Sequence, residues 1–140
     1  MAETIVKIEN LVKRYHELVA VDHFNLTVSK GEILGLLGPN GSGKTTTMNC
    51  LLSLLAYDKG SIEVFGKPMK PDSYDLKRNI GVVFQNVAVF DTLTVQENID
   101  YFCGLYIKDK KLRRQYVAEA VEFAGLSGFV KFSRTDLFHL

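Results

Sequence analysis

The sequence predicts an α/β fold built around a phosphate-binding loop, and three observations carry that expectation. A short apolar run, Ile33 to Leu37, leads directly into the glycine-rich stretch GPNGSGKT, Gly38 to Thr45. Apolar residues at helical spacing, Met48, Leu51, Leu52 and Leu55, follow at once. Strand-like patterns dominate before Gln85 and helix-like patterns after it.

The elements follow in order. Val6–Lys7–Ile8–Glu9 and Phe24–Asn25–Leu26–Thr27–Val28 alternate apolar and polar residues, as half-buried strands do. Lys30–Gly31 reads as a turn. Ile33 to Leu37 suits a strand buried on both faces. The helix after the loop is expected to stop near Gly60. Ser61 to Phe65 reads as another strand closed by Gly66, and Asp72 to Arg78 as a short helix after Pro71. Ile80 to Phe84 is a second candidate for a buried strand. Thr94-Val-Gln-Glu97 is a capping box, because hydroxyl and carboxylate can each satisfy a backbone donor at a helix start. Val95, Ile99, Phe102 and Tyr106 then share one helical face. Leu112, Tyr116, Val117, Ala120, Val121 and Ala124 mark a further helix that Gly125 ends.

Composition narrows the function. With 140 residues, 46% apolar and 24% charged, the chain is ordinary for one globular domain or part of one. A net charge of +1 does not suggest a nucleic-acid binder, which would carry a basic field. No apolar run approaches the roughly 18 residues that span a bilayer, and the start MAETIVKIEN lacks the apolar core of a secretion signal. Cys50 and Cys103 lie in apolar stretches without metal-ligand spacing, and read as buried hydrophobes in a reducing cytosol. The basic run Lys108 to Arg114 reads as a solvated helix start.

Gly38 to Thr45 matches the P-loop pattern G-x-x-x-x-G-K-[ST] at every fixed position, after an expected strand and before an expected helix. A triphosphate needs donors that converge without crowding. Gly38, Gly41 and Gly43 free the backbone to point N–H groups inward, and the helix start adds its own free N–H groups and positive dipole. Lys44 supplies a cation for the outer phosphates. Thr45 supplies a hydroxyl for the Mg²⁺ that accompanies the nucleotide.

Three longer segments narrow the choice among nucleotide binders: VKRYHELVAVDHFNLTVSKGEILGLLGPNGSGKTT, GSIEVFGK and IGVVFQNVAVFDTLTVQENI. Their succession, from about Ile5 to Leu126, resembles the ATP-binding subunit of ABC transporters. The resemblance implies a P-loop NTPase core sheet with an N-terminal antiparallel β subdomain and the start of a helical subdomain, truncated. Residues 1–132 would form the N-terminal part of one such domain, with a β-rich and P-loop core at 1–85 and the Q-loop and helical subdomain at 86–132. The tail at 133–140 looks unlike the family.

It also implies roles. ATP would be held by Tyr15, Val21, Gly38, Asn40, Gly41, Ser42, Gly43, Lys44, Thr45 and Thr46. Tyr15 matches the aromatic residue that stacks on adenine, and Val21 adds an apolar contact to base or ribose. Gln85 matches the Q-loop glutamine, whose amide oxygen joins Thr45 around Mg²⁺. The stretch from Gln85 to Leu93, with its apolar Val87, Val89 and Phe90, would face the cytoplasmic loop of a membrane subunit. A second ATPase subunit would join in the intact protein. The location implied is cytoplasmic, at the inner face of the membrane through that partner.

Three family motifs find no match. Leu126–Ser127–Gly128 continues as Phe-Val and reads as a helix-end turn, not as the L-S-G-G-Q signature. No Asp–Glu pair follows an apolar run, and His16, His23 and His139 do not sit where the switch histidine would. No catalytic residue is therefore assigned, and the chain is expected to bind ATP·Mg without efficient hydrolysis. Apolar surface left uncovered on its sheet is expected to drive self-association. Other classes weighed are a GTPase, for which N-K-x-D and D-x-x-G are lacking, a nucleotide kinase, whose arginine-rich lid only Arg113–Arg114 approach, and a non-enzymatic binding module.

Overall fold

The computed structural model describes residues 2–85 and 89–137. They fall into two units, one ending at Val82 and the other starting at Val83. The first holds β1 (Thr4–Tyr15), β2 (Leu18–Ser29), α1 (Lys44–Leu51), β3 (Lys59–Val64), β4 (Lys67–Pro68) and α2 (Tyr74–Lys77). The second holds α3 (Val95–Gly104), α4 (Lys110–Phe123) and α5 (Arg134–Leu137).

In the first unit the strands form one antiparallel sheet in the order β2-β1-β3-β4. Alternation along β1 sends Val6 and Ile8 toward the core, but the pattern then breaks. Asn10 takes a positive φ of 49°, the register with β2 shifts between Ile8 and Leu11, and Leu11 and Val12 are both buried. An extra residue at a bulge re-aims the strand in this way. The Asn25 side chain holds it, accepting from the Asn10 amide at 2.8 Å and donating to the His23 carbonyl at 2.8 Å. Ile8, Leu11, Val21, Cys50, Ile62, Val64, Met69 and Leu76 form the core, so both α1 and α2 are represented in it. Each large aliphatic side chain buried there contributes about 1.5–3 kcal/mol.

In the second unit α3 and α4 pack together, with Val117 and Val121 buried. The Asp100 carboxylate accepts from Arg113 Nε at 2.9 Å between the two helices. The Asp109 side chain caps α4 by accepting from the Leu112 amide at 2.8 Å, and Gly125 at φ 68° follows its end. The expected capping box forms at the start of α3: Thr94 Oγ1 accepts from the Glu97 amide, and Glu97 accepts from the Thr94 amide at 2.8 Å. Two further amides of that first turn are satisfied by the later chain. Val95 donates to the Phe132 carbonyl at 2.9 Å and Gln96 to that of Val130 at 3.2 Å.

Several expectations need correction. Ile33 to Leu37 and Ile80 to Phe84 are not strands: both run without regular structure, and Ile33, Leu37 and Val83 are more than nine-tenths exposed. A strand exists only through ladder partners, and among the described residues neither segment pairs with another. The α/β class stands, but its sheet is the antiparallel one. Gly60 does not stop α1, which ends at Leu51; it lies in β3 at a φ of 100°. Met48 and Tyr106, placed on helical core faces by spacing, are exposed. The tail is bound in at its start, because Ser133 bridges Thr94 and Arg134 pairs with Asp91 at 3.0 Å. Residues 138–140, which include His139, lie outside the described residues.

Gly60 is the position where β3 meets the bulge of β1. A Cβ there would stand 2.5 Å from the Glu9 carbonyl oxygen and 2.6 Å from that of Asn10. Gly60→Ala is therefore expected to cost about 2–4 kcal/mol, from left-handed backbone and overpacking together. Gly35→Ala, in open space, should stay near neutral. Urea unfolding midpoints of the two variants check this, and equal midpoints would contradict it.

Candidate functional site: a phosphate cradle on the hairpin

The glycine-rich loop sits in the first unit and ends at Gly43, the residue before α1. Gly43 has a φ of 85°, and a Cβ on it would fall well inside contact distance of the Ala20 carbonyl oxygen. The same Cβ would lie 3.3 Å from Val21 Cγ2. Only glycine lets the loop lie this close to β2 in this conformation.

Packing against β2 sets the direction in which α1 begins. Its cap has no side-chain hydrogen bond, and the first backbone bond of the turn runs from the Thr47 amide to the Gly43 carbonyl at 2.8 Å. Among the described residues no partner meets the amides of Lys44, Thr45 and Thr46. Three N–H groups at a helix start, with no acidic residue in the first turn, present donors and the positive end of the helix dipole together. The Lys44 ammonium is folded over the same loop: Nζ donates to the carbonyls of Gly38 at 2.7 Å and Pro39 at 2.8 Å, and reaches Ser42 Oγ at 3.4 Å. A turn from the Pro39 carbonyl to the Ser42 amide, 3.2 Å, closes the loop. Asn40, Gly41, Ser42 and Thr45 are exposed around it.

The other expected contacts divide. Tyr15 ends β1, opposite Leu18, and is 44% exposed. Leu18 is two residues before Ala20, on which Gly43 rests. The strand position opposite Tyr15 and the one under Gly43 are thus roughly 7 Å apart along β2, at 3.3–3.4 Å per residue. Val21 is a core residue beneath Gly43, 6% exposed, and supports the loop from below. Cys50 lies buried in the same core as a free thiol, and burial pushes its pKa up.

Gln85 lies in the second unit and is exposed. Asn86, Val87 and Ala88 lie outside the described residues. Beyond them Val89 and Phe90 are exposed, and Phe90 joins an aromatic group: its ring centroid is 4.8 Å from Tyr101 and 6.3 Å from Phe102. The sequence reading missed the residue that organises this stretch, Asn98. Its Oδ1 accepts from the Phe90 amide at 2.8 Å, and its Nδ2 reaches the carbonyls of Phe90 and Leu93, each at 3.0 Å, and of Thr94 at 3.1 Å. The only signal in the sequence was an asparagine one turn into a helix, where helix propensity disfavours it. Beside it, hydrogen bonds from Thr94 hold the Glu97 carboxyl below the usual carboxylate range.

These parts match a known family. The family model described as ABC transporter matches residues 21–137. The chain belongs to the ABC transporter family. The probable multidrug ABC transporter ATP-binding protein YbhF of Escherichia coli (strain K12) is 32% identical over 135 residues, 96% of this chain and 23% of that protein. The chain thus spans about a quarter of that curated relative's length. Among solved structures, cbiO1 of Clostridium perfringens, described as part of the transporter complex cbiONQ, shares the fold with a TM-score of 0.84 at 24% identity. That match covers 94% of this chain and 54% of the other. An ATP-binding cassette dimer, MJ0796 in a post-hydrolysis state with ADP and Pi, gives a TM-score of 0.75 at 26% identity, over 94% of this chain and 62% of that one. Among the described residues no helix is long and apolar enough to cross a membrane.

Asn98→Ala should loosen the stretch before α3. The Phe90 amide is expected to lose hydrogen-exchange protection, with about 1–3 kcal/mol lost from local stability because several backbone groups lose their partner. Far-UV dichroism of α3 and α4 should change little. Unaltered exchange at Phe90 would rule out this role for Asn98.

Proposed function

We propose that this chain is the ATP·Mg-binding part of an ABC transporter ATPase subunit whose intact form couples ATP hydrolysis to transport across a membrane. The observation that carries the reading is a helix start whose Lys44, Thr45 and Thr46 amides meet no partner among the described residues, next to a loop over which the Lys44 ammonium is folded. Such a cradle suits the β- and γ-phosphates. The Thr45 hydroxyl is a hard oxygen donor of the kind Mg²⁺ takes, with phosphate oxygens and water completing its shell. Gln85 is the proposed second protein donor, through its amide oxygen.

Tyr15 is the proposed base platform, and its exposure at the end of the hairpin on which Gly43 rests supports the assignment. Gly38, Asn40, Gly41, Ser42 and Gly43 shape the loop, and Val21 braces it from below. Stacking on an aromatic face is worth about 1–3 kcal/mol and separates bases weakly. The stretch from Gln85 to Leu93 is the proposed contact with a membrane subunit, which would place the protein at the cytoplasmic face of a membrane. The aromatic group around Phe90 supports this, since exposed apolar clusters mark interaction surfaces. A second ATPase subunit is the other proposed partner.

Turnover is a separate matter from binding. Neither a glutamate placed to activate water nor a switch histidine is assigned in this sequence. A positioned acid–base group gives about 10²–10⁴-fold in rate. The chain is proposed to hold ATP·Mg, and to hydrolyse it at best slowly by itself.

Calorimetry on the purified chain tests the reading. ATP·Mg should bind, and Lys44→Ala should weaken it by about 2–5 kcal/mol, as removal of one partner from a close charge pair does. An unchanged affinity, or a preference for GTP by tens-fold, would overturn the assignment. Fast phosphate release that Lys44→Ala abolishes would overturn only the statement on turnover.

A further inference from the structure

Tyr15 stands at a hairpin end and is 44% exposed, yet one side chain lies over its ring. Lys13 Nζ is 5.3 Å from the ring centroid. We propose that Lys13 is a positioning residue for base binding: its ammonium covers one face of Tyr15 and holds the ring so that a purine stacks on the opposite face. The proposal rests on the reading of Tyr15 as the base platform.

Lys13 can do this because it is itself held. Its side chain is 14% exposed, unlike most surface lysines, so the stem is packed and few rotamers remain. Asp58 straddles it. The Asp58 amide donates to the Val12 carbonyl at 2.9 Å, and its Oδ2 accepts from the Arg14 amide at 2.6 Å. The carboxylate is thereby fixed against the residues on either side of Lys13, and the ammonium comes to 4.0 Å from it. From this anchored position the cation meets the ring's negative face.

Tyr15 lacks comparable support from the turn. The next residue, His16, has a positive φ of 50°, and Leu18 across the hairpin is 65% exposed. A tyrosine in that setting would sample several ring orientations, and binding a base would have to freeze one of them. A cation on one face removes that cost before the ligand arrives and leaves a single face for stacking. Lys13 would then act on the base-dependent part of affinity and not on the phosphate-dependent part.

Two probes separate those parts: Mg·ATP and Mg·tripolyphosphate, which has the phosphates without a base. Affinities of the full chain for both, by calorimetry, are compared for the parent, Lys13→Met, Lys13→Arg and Tyr15→Ala. Lys13→Met is expected to weaken ATP roughly two- to fivefold and leave tripolyphosphate unchanged. Lys13→Arg should restore ATP affinity, because guanidinium also sits on aromatic faces. If Lys13→Met weakens both probes equally, or neither, the proposal is overturned. Should Lys13→Met fail to fold by thermal melting, Lys13→Gln is judged by the same ratio. Tyr15→Ala keeps the two readings apart. A lowered ATP-to-tripolyphosphate ratio in Tyr15→Ala alone sinks the role of Lys13, whereas an unchanged ratio sinks Tyr15 as platform and the proposal with it.

Discussion

The closest constraint in the first unit is the contact of Gly43 with the carbonyl of Ala20. At a φ of 85°, with no room for a Cβ, the backbone of the loop lies directly on strand β2. Much else follows from it. The chain enters α1 from this contact, and the first amides of that helix meet no partner among the described residues. Val21 fills the space beneath and passes the contact into the core with Ile8, Leu11 and Cys50. The hairpin that supports the loop also carries Tyr15 at its tip. The Gly43 contact and Tyr15 are therefore both carried by one two-stranded element, and the spacing of their positions along it is a property of its backbone, not of flexible side chains.

The second unit reaches order by a different route. Its helices expose much of their apolar surface, and its definition comes largely from polar bonds to backbone at the start of α3. Thr94 and Glu97 satisfy each other's amides, Asn98 ties down Phe90, Leu93 and Thr94, and the carbonyls of Val130 and Phe132 accept from the next two amides. Backbone bonding of this kind fixes the path of a loop without burying it. The result is an irregular segment with a defined course and an exposed aromatic group.

What could be read from the sequence depended on whether the cause was local. The P-loop, the capping box and the helices α3 and α4 were legible because spacing within a few residues determines them. Ile33 to Leu37 and Ile80 to Phe84 misled for a physical reason. An apolar run records what a segment would gain by burial on both faces, but it does not say that neighbours are there to bury it. Gly60 was read as a helix stop because glycine serves several purposes, and only the tertiary contact with the β1 bulge shows which. Val21, Asn98 and Lys13 share this limit. Their roles depend on partners at Gly43, Phe90 and Tyr15–Asp58, and no periodicity encodes those pairings.

Binding and catalysis make different demands on this architecture. A triphosphate cradle can be complete within a loop and one helix turn, because its donors are consecutive backbone groups and the lysine that follows them. Hydrolysis requires groups brought from elsewhere to the far side of the γ-phosphate, and these cannot come from the same turn. The exposed apolar runs on either side of the cradle, 33–37 before it and 80–84 after α2, are the stretches whose burial would demand further strands. The hairpin, loop and α1 therefore stabilise among themselves no more than the donors of one helix turn, and the proposed grip on a nucleotide asks for no more than that.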